Sequence, residues 1–80
     1  MTLNNNTATK VEPTSGATEI HFVNDMSTNA RYGGTGVTAS SGGLFFNQST
    51  LIIKNPSSDF DIYFIQNSGS AKTLDVVEFF

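Results

Sequence analysis

The sequence predicts an all-β fold: a small antiparallel β-sandwich or barrel of about six short strands. Three observations lead there. Apolar and polar residues alternate at a two-residue period around Ile20 and Phe22 and again around Phe60, Ile62 and Phe64, the spacing of strands with one buried face. The connections are rich in glycine, serine and asparagine, as in Gly33-Gly34-Thr35-Gly36 and Ser40-Ser41-Gly42-Gly43, which is turn chemistry. Finally, Met26 to Ala30 and Thr35 to Ser41 lack the length and periodicity of a helix and allow little more than one turn.

The clearest local instruction is Leu51 to Ile65. Leu51-Ile52-Ile53 is a short apolar run with β-branched residues, and Phe60, Ile62 and Phe64 alternate with Asp59, Asp61 and Tyr63. Between them, Asn55-Pro56-Ser57-Ser58 is a breaker, because the residue before proline is pushed out of helical geometry and serine bonds nearby backbone. A helix would scatter Asp59, Phe60, Asp61 and Ile62 around its cylinder with no apolar stripe. The segment therefore reads as a β-hairpin, with the rest of the chain arranged around it.

Residues 1–16 are polar, with Asn4-Asn5-Asn6, and hold only Met1, Leu3, Ala8 and Val11 as apolar residues. They read as an extended or flexible arm, either a disordered terminus or a strap that becomes ordered across a neighbouring subunit, leaving 17–80 as the single β domain. Ala17 to Val23 is the first strand, ending at the turn chemistry of Asn24-Asp25. Arg31-Tyr32 and Val37-Thr38-Ala39 are short strand candidates between glycine turns, and Leu44-Phe45-Phe46 begins another apolar patch. In the last strand, Thr73 to Phe80, Leu74 and Val76 share one face while Val77 and Phe79 share the other. That imperfect alternation predicts a bulge near Val76-Val77 or a strand covered on both sides.

Gly34-Thr35-Gly36-Val37-Thr38-Ala39 satisfies the G-x-G-x-x-A dinucleotide string. Its context refuses that reading, since the motif needs a buried strand before it and a helix opening after it. Asp59 and Asp61 project from one face of a strand and could share a cation, but acidic residues on a solvent face also discourage edge aggregation. His21 falls opposite Ile20 and Phe22 with no partner that the sequence places beside it, and no G-x-S-x-G turn exists. No catalytic residue, cofactor or metal is therefore assigned.

An 80-residue chain buries a small share of its surface, and this one has no cysteine and a single histidine to supplement its core. Partner burial remains, so a homo-oligomer or attachment to a larger body is expected. The net charge is −3, and the four basic residues, Lys10, Arg31, Lys54 and Lys72, are dispersed; nucleic acid, which requires a dense cationic footprint, is not an expected partner. No apolar run approaches the roughly 18 residues of a membrane span, and no secretory leader is legible, so use without export and without a membrane is expected. Phe79 and Phe80 would expose two rings unless the core or a partner covers them. They are assigned as apolar anchors for a partner, together with Leu3 and Val11 of the arm. The alternative is carbohydrate binding, with Tyr32 and Tyr63 stacking on sugar rings.

The polar arm Thr2 to Gly16, the cysteine-free Asn/Thr/Ser/Gly-rich β pattern and the ending Glu78-Phe79-Phe80 together resemble the small accessory proteins of tailed-bacteriophage virions, in particular capsid decoration or cement proteins. The resemblance is one of class across the whole chain and carries no functional residue with it. It implies a β-rich, homo-oligomeric structural protein, assembled in the host cytoplasm and resident in the virion. There it would bind the major capsid protein or another virion protein and reinforce the shell. A tail or fibre component shares the same features.

Overall fold

A computed structural model describes residues 1–56 and 61–80. Among the described residues there is no helix, and hence none that could cross a membrane. The described residues form nine strands that pair antiparallel in three sheets. A four-stranded sheet has the order β2 (Thr9–Lys10), β7 (Tyr63–Ile65), β4 (Ala30–Gly33), β5 (Gly43–Phe45). A three-stranded sheet has the order β6 (Thr50–Lys54), β3 (Glu19–Val23), β9 (Asp75–Phe79). A short pair, β1 (Thr2–Leu3) with β8 (Lys72–Thr73), completes the set.

The alternation of β3 sends Ile20 and Phe22 inward, where both are buried, and its neighbour β6 contributes Leu51 and Ile53 to the same side. From the four-stranded sheet Phe64 meets them, its ring centroid 4.8 Å from that of Phe22 and 5.6 Å from that of Phe45. Each such fully buried side chain stabilises the fold by about 1.5–3 kcal/mol. Tyr32 and Ala30 on β4 add to the layer, and Leu3, Val11, Met26 and Leu74 complete the core.

Four sequence expectations are corrected. The Leu51 to Ile65 hairpin does not form. Asn55 does turn the chain, with φ 52°, but β6 pairs with β3 while β7 pairs with β2 and β4, in the other sheet. Two strands of one sheet cannot cover each other's faces; placing Phe64 opposite Phe22 instead closes the core. Expectations for Asp59 and Phe60 lie outside the described residues.

Residues 1–16 are extended but do not form an arm for a neighbour. Leu3 and Val11 are buried at 0% and 4% exposure, β1 and β2 pair within the chain, and the Val11 amide donates to the Ile62 carbonyl at 2.9 Å. These residues are part of the domain, because Leu3 and Val11 fill space that the sheets alone leave open.

Val37-Thr38-Ala39 is not a strand; only an isolated bridge joins Thr38 to Ser41. The last segment divides at Leu74 into β8 and β9, and its register against β3 runs without a bulge from Asp75 to Phe79.

Two buried amides hold the connections. Gln66 Nε2 donates to the carbonyls of Leu3 (2.9 Å) and Ser70 (2.8 Å), and its Oε1 accepts from the Ser68 amide. Asn24 Nδ2 donates to the Thr28 and Phe45 carbonyls at 3.0 Å each, and its Oδ1 accepts from the Met26 amide. Removing either side chain would strand buried backbone carbonyls, at about 1–3 kcal/mol for each left unpaired. At Gly42, φ is +117° and a Cβ would stand 2.8 Å from the Tyr32 carbonyl oxygen, so only glycine fits there.

Candidate functional site

On the inward side of the three-stranded sheet Ile20, Phe22, Leu51 and Ile53 are spent on the core while Val76 and Glu78 line a groove; its outward residues form three rows read from the register. Lys54, Glu19 and Phe79 make the first, Ile52, His21 and Val77 the second, and Thr50, Val23 and Asp75 the third. Ile52, Val77 and Phe79 are 46%, 47% and 46% exposed. Large apolar side chains on the solvent side of a sheet, grouped rather than scattered, mark a binding surface. Phe80, next in the chain, is 73% exposed.

His21 is the centre of this face and is held in place. Its Nε2 lies 2.5 Å from Glu19 Oε1, and its ring packs on Phe79 with centroids 4.6 Å apart. Those partners hold it as a half-buried platform between Glu19 and Phe79. The opposite outer face, that of the four-stranded sheet, is treated differently. There the chain's own loop folds back: Val37 is buried beside Gly33 and Gly42, and Ile65, although outward on β7, is only 5% exposed. The four-stranded face is thus only partly covered, Leu44 in the row of Arg31 and Ile65 being 49% exposed, whereas on the bare three-stranded face Ile52, Val77 and Phe79 stand out together.

Charge is placed at the margins. Glu78 accepts from the Thr14 amide and hydroxyl, both at 2.7 Å, and these donors hold its carboxyl below the ordinary range. Asp75 is raised, first by a hydrogen bond with Asp25 and then by that residue's charge. The signs are opposite. Glu78 contributes stability above its unfolded pKa that is lost as pH falls through its lower folded value; Asp75 costs stability as pH rises from its unfolded pKa through its higher folded value. Urea midpoints measured from acid to neutral pH are therefore expected to rise less steeply in Glu78→Gln, whereas Asp75→Asn should be more stable than the parent at pH 7. Asp75 is exposed and Glu78 partly so, so both effects should shrink in high salt.

The sequence-assigned site residues are dispersed. Leu3 and Val11 are buried core residues, at 0% and 4% exposure. Phe79 and Phe80 are exposed, and of these Phe79 belongs to the bare face. Tyr32 and Tyr63 cannot form one stacking platform. Tyr32 pairs directly with the buried Phe64 and faces inward over Gly43, whereas Tyr63, one residue from Phe64, faces outward. Asp61 lies 3.9 Å from Lys10, and its expected neighbour Asp59 is outside the described residues. Among the described residues no group of three His, Asp or Glu side chains is placed to hold a metal ion. A groove of about 280 Å³ over Val11, Ile20 and Val76 has a rim of Lys10, Glu12 and Glu78.

Sequence reasoning missed Ile52, Val77 and Val23 as one surface, although a signal was present. Leu51-Ile52-Ile53 and Val76-Val77 are consecutive apolar residues, and in a strand consecutive residues point to opposite faces. No known protein family, curated protein or solved structure matches the chain.

Proposed function

We propose that this protein is a non-enzymatic structural module that binds other protein surfaces through the bare face of its three-stranded sheet. The observation that carries this reading is the grouping of Ile52, Val77 and Phe79 on one solvent-facing surface while the core is complete without them. Such a face gains by being covered, at about 25 cal/mol for each Å² of apolar surface removed from water. In a repeating array each contact is multiplied by the number of copies. The concrete form we propose is the one the sequence resembles: a capsid decoration or cement protein of a tailed-bacteriophage virion, bound to the major capsid protein or another virion protein.

Virions assembled without this chain are expected to release their genome at a lower temperature than complete ones. Added purified protein should restore the difference, and a Val77→Ser, Phe79→Ser variant should not. Equal heat resistance of complete and deficient particles would contradict the capsid role. Immunogold labelling on tails or fibres alone would move the protein to that part of the virion.

A further inference from the structure

The outward rows of the three-stranded sheet can be tested for fit against themselves. Lys54 and Asp75 occupy diagonally opposite corners, at the outer strands β6 and β9 and in the first and third rows. A face that meets its own copy does so about a two-fold axis lying between the two sheets, and the grid of rows and strands allows four simple settings of that axis. With the axis along the strands, Glu19 meets Glu19. Across the strands, Asp75 is pressed on Phe79. Along the diagonal through Lys54 and Asp75, each charge meets its own kind. The remaining diagonal, through Thr50, His21 and Phe79, differs from all three.

In that setting Lys54 of each copy meets Asp75 of the other. Ile52 meets Val23, Phe79 packs on Phe79, and Glu19, already engaged by its own His21, lies over Val77. Rows about 6.8 Å apart and strands about 4.8 Å apart leave the Lys54 and Asp75 positions offset by about 6 Å, within the combined reach of the two side chains. The strands of the two sheets then cross at about 70°, nearer to the orthogonal than to the aligned way in which sheets pack face to face.

We propose that a second copy of this chain covers the bare face, the two three-stranded sheets crossing about a two-fold axis through Thr50, His21 and Phe79, with Lys54 of each copy paired to Asp75 of the other. This rests on the reading of that face as a protein-binding surface and names its occupant. A second observation supports the cation's place. Asp25 raises the Asp75 carboxyl by a hydrogen bond and by its charge, an effect only partly offset by the Met1 ammonium, and a further ammonium group relieves that repulsion. Three strands of five residues span about 14 by 17 Å, less than the roughly 800 Å² per partner of a standard stable complex. The dimer is therefore concentration-dependent rather than permanent.

Charge reversal tests the geometry by sedimentation equilibrium over a range of concentrations. Lys54→Glu alone and Asp75→Lys alone each place like charges together twice, and each is expected to weaken self-association about tenfold or more. An equimolar mixture of the two variants restores both pairs with correct signs and should dimerise again, a recovery that misfolded variants could not give. A wild-type protein that stays monomeric, a variant that self-associates like wild type, or a mixture that does not recover would overturn the proposal. The virion test is independent of it: a monomer that still restores heat resistance removes the second copy and keeps the structural role. A charge-rescued dimer without effect on virions does the reverse.

Discussion

Phe64→Ala is expected to cost about 3–5 kcal/mol, the largest effect of any single side chain in this protein. Phe64 is fully buried, and its ring meets Phe22 across the two sheets and Phe45 along its own. Truncating it removes the bridge between the two layers and leaves a cavity that the short strands have little means to fill. Stability per residue in native proteins suggests a total of about 4–12 kcal/mol for a chain of this length, so the variant should be partly unfolded without denaturant. A urea titration followed by far-ultraviolet circular dichroism would measure it. A loss below about 1 kcal/mol would mean that the two sheets are not joined through this ring.

Deleting residues 1–16 is expected to abolish cooperative folding altogether. The deletion removes Leu3 and Val11 from the core, takes β1 from β8 and β2 from β7, and leaves the Gln66 amide without the Leu3 carbonyl it binds. Leu3→Ala alone should cost about 2–5 kcal/mol. Were residues 1–16 a strap for a neighbouring subunit, the truncated chain would keep its sheet spectrum and its unfolding transition while losing only association. Thermal unfolding of the truncated protein separates the two outcomes.

How far the sequence could be read follows from the range of the interactions involved. The strand Glu19–Val23 was legible because its alternation is local, and the structure buries Ile20 and Phe22 as that alternation predicts. The pairing of Leu51-Ile52-Ile53 was not. Asn55-Pro56 says that the chain turns, but whether it returns to the same sheet depends on which ring must face Phe22, a contact 42 residues away in sequence for Phe64. Leu3 and Val11 were hidden for a related reason. Isolated apolar residues in a polar segment have no periodicity, and their burial depends on Leu74 and Phe64 at the other end of the chain. Phe79 was legible as an exposed ring from its place in a strand with apolar residues on both faces. The face it belongs to needed the register of β3 with β6 and β9, which joins Ile52 and Val77 around His21.

The claim on which the rest depends is that the core is complete within one chain and that Ile52, Val77 and Phe79 serve contact with other molecules. Replacing all three by threonine, a residue that keeps strand propensity while adding a hydroxyl, separates stability from association in one variant. Urea unfolding of the dilute variant is expected to lie within about 1 kcal/mol of the parent, as for surface positions, while sedimentation of a concentrated sample shows self-association lost. A stability loss of about 3 kcal/mol or more, or self-association at the parent's strength, would contradict the account.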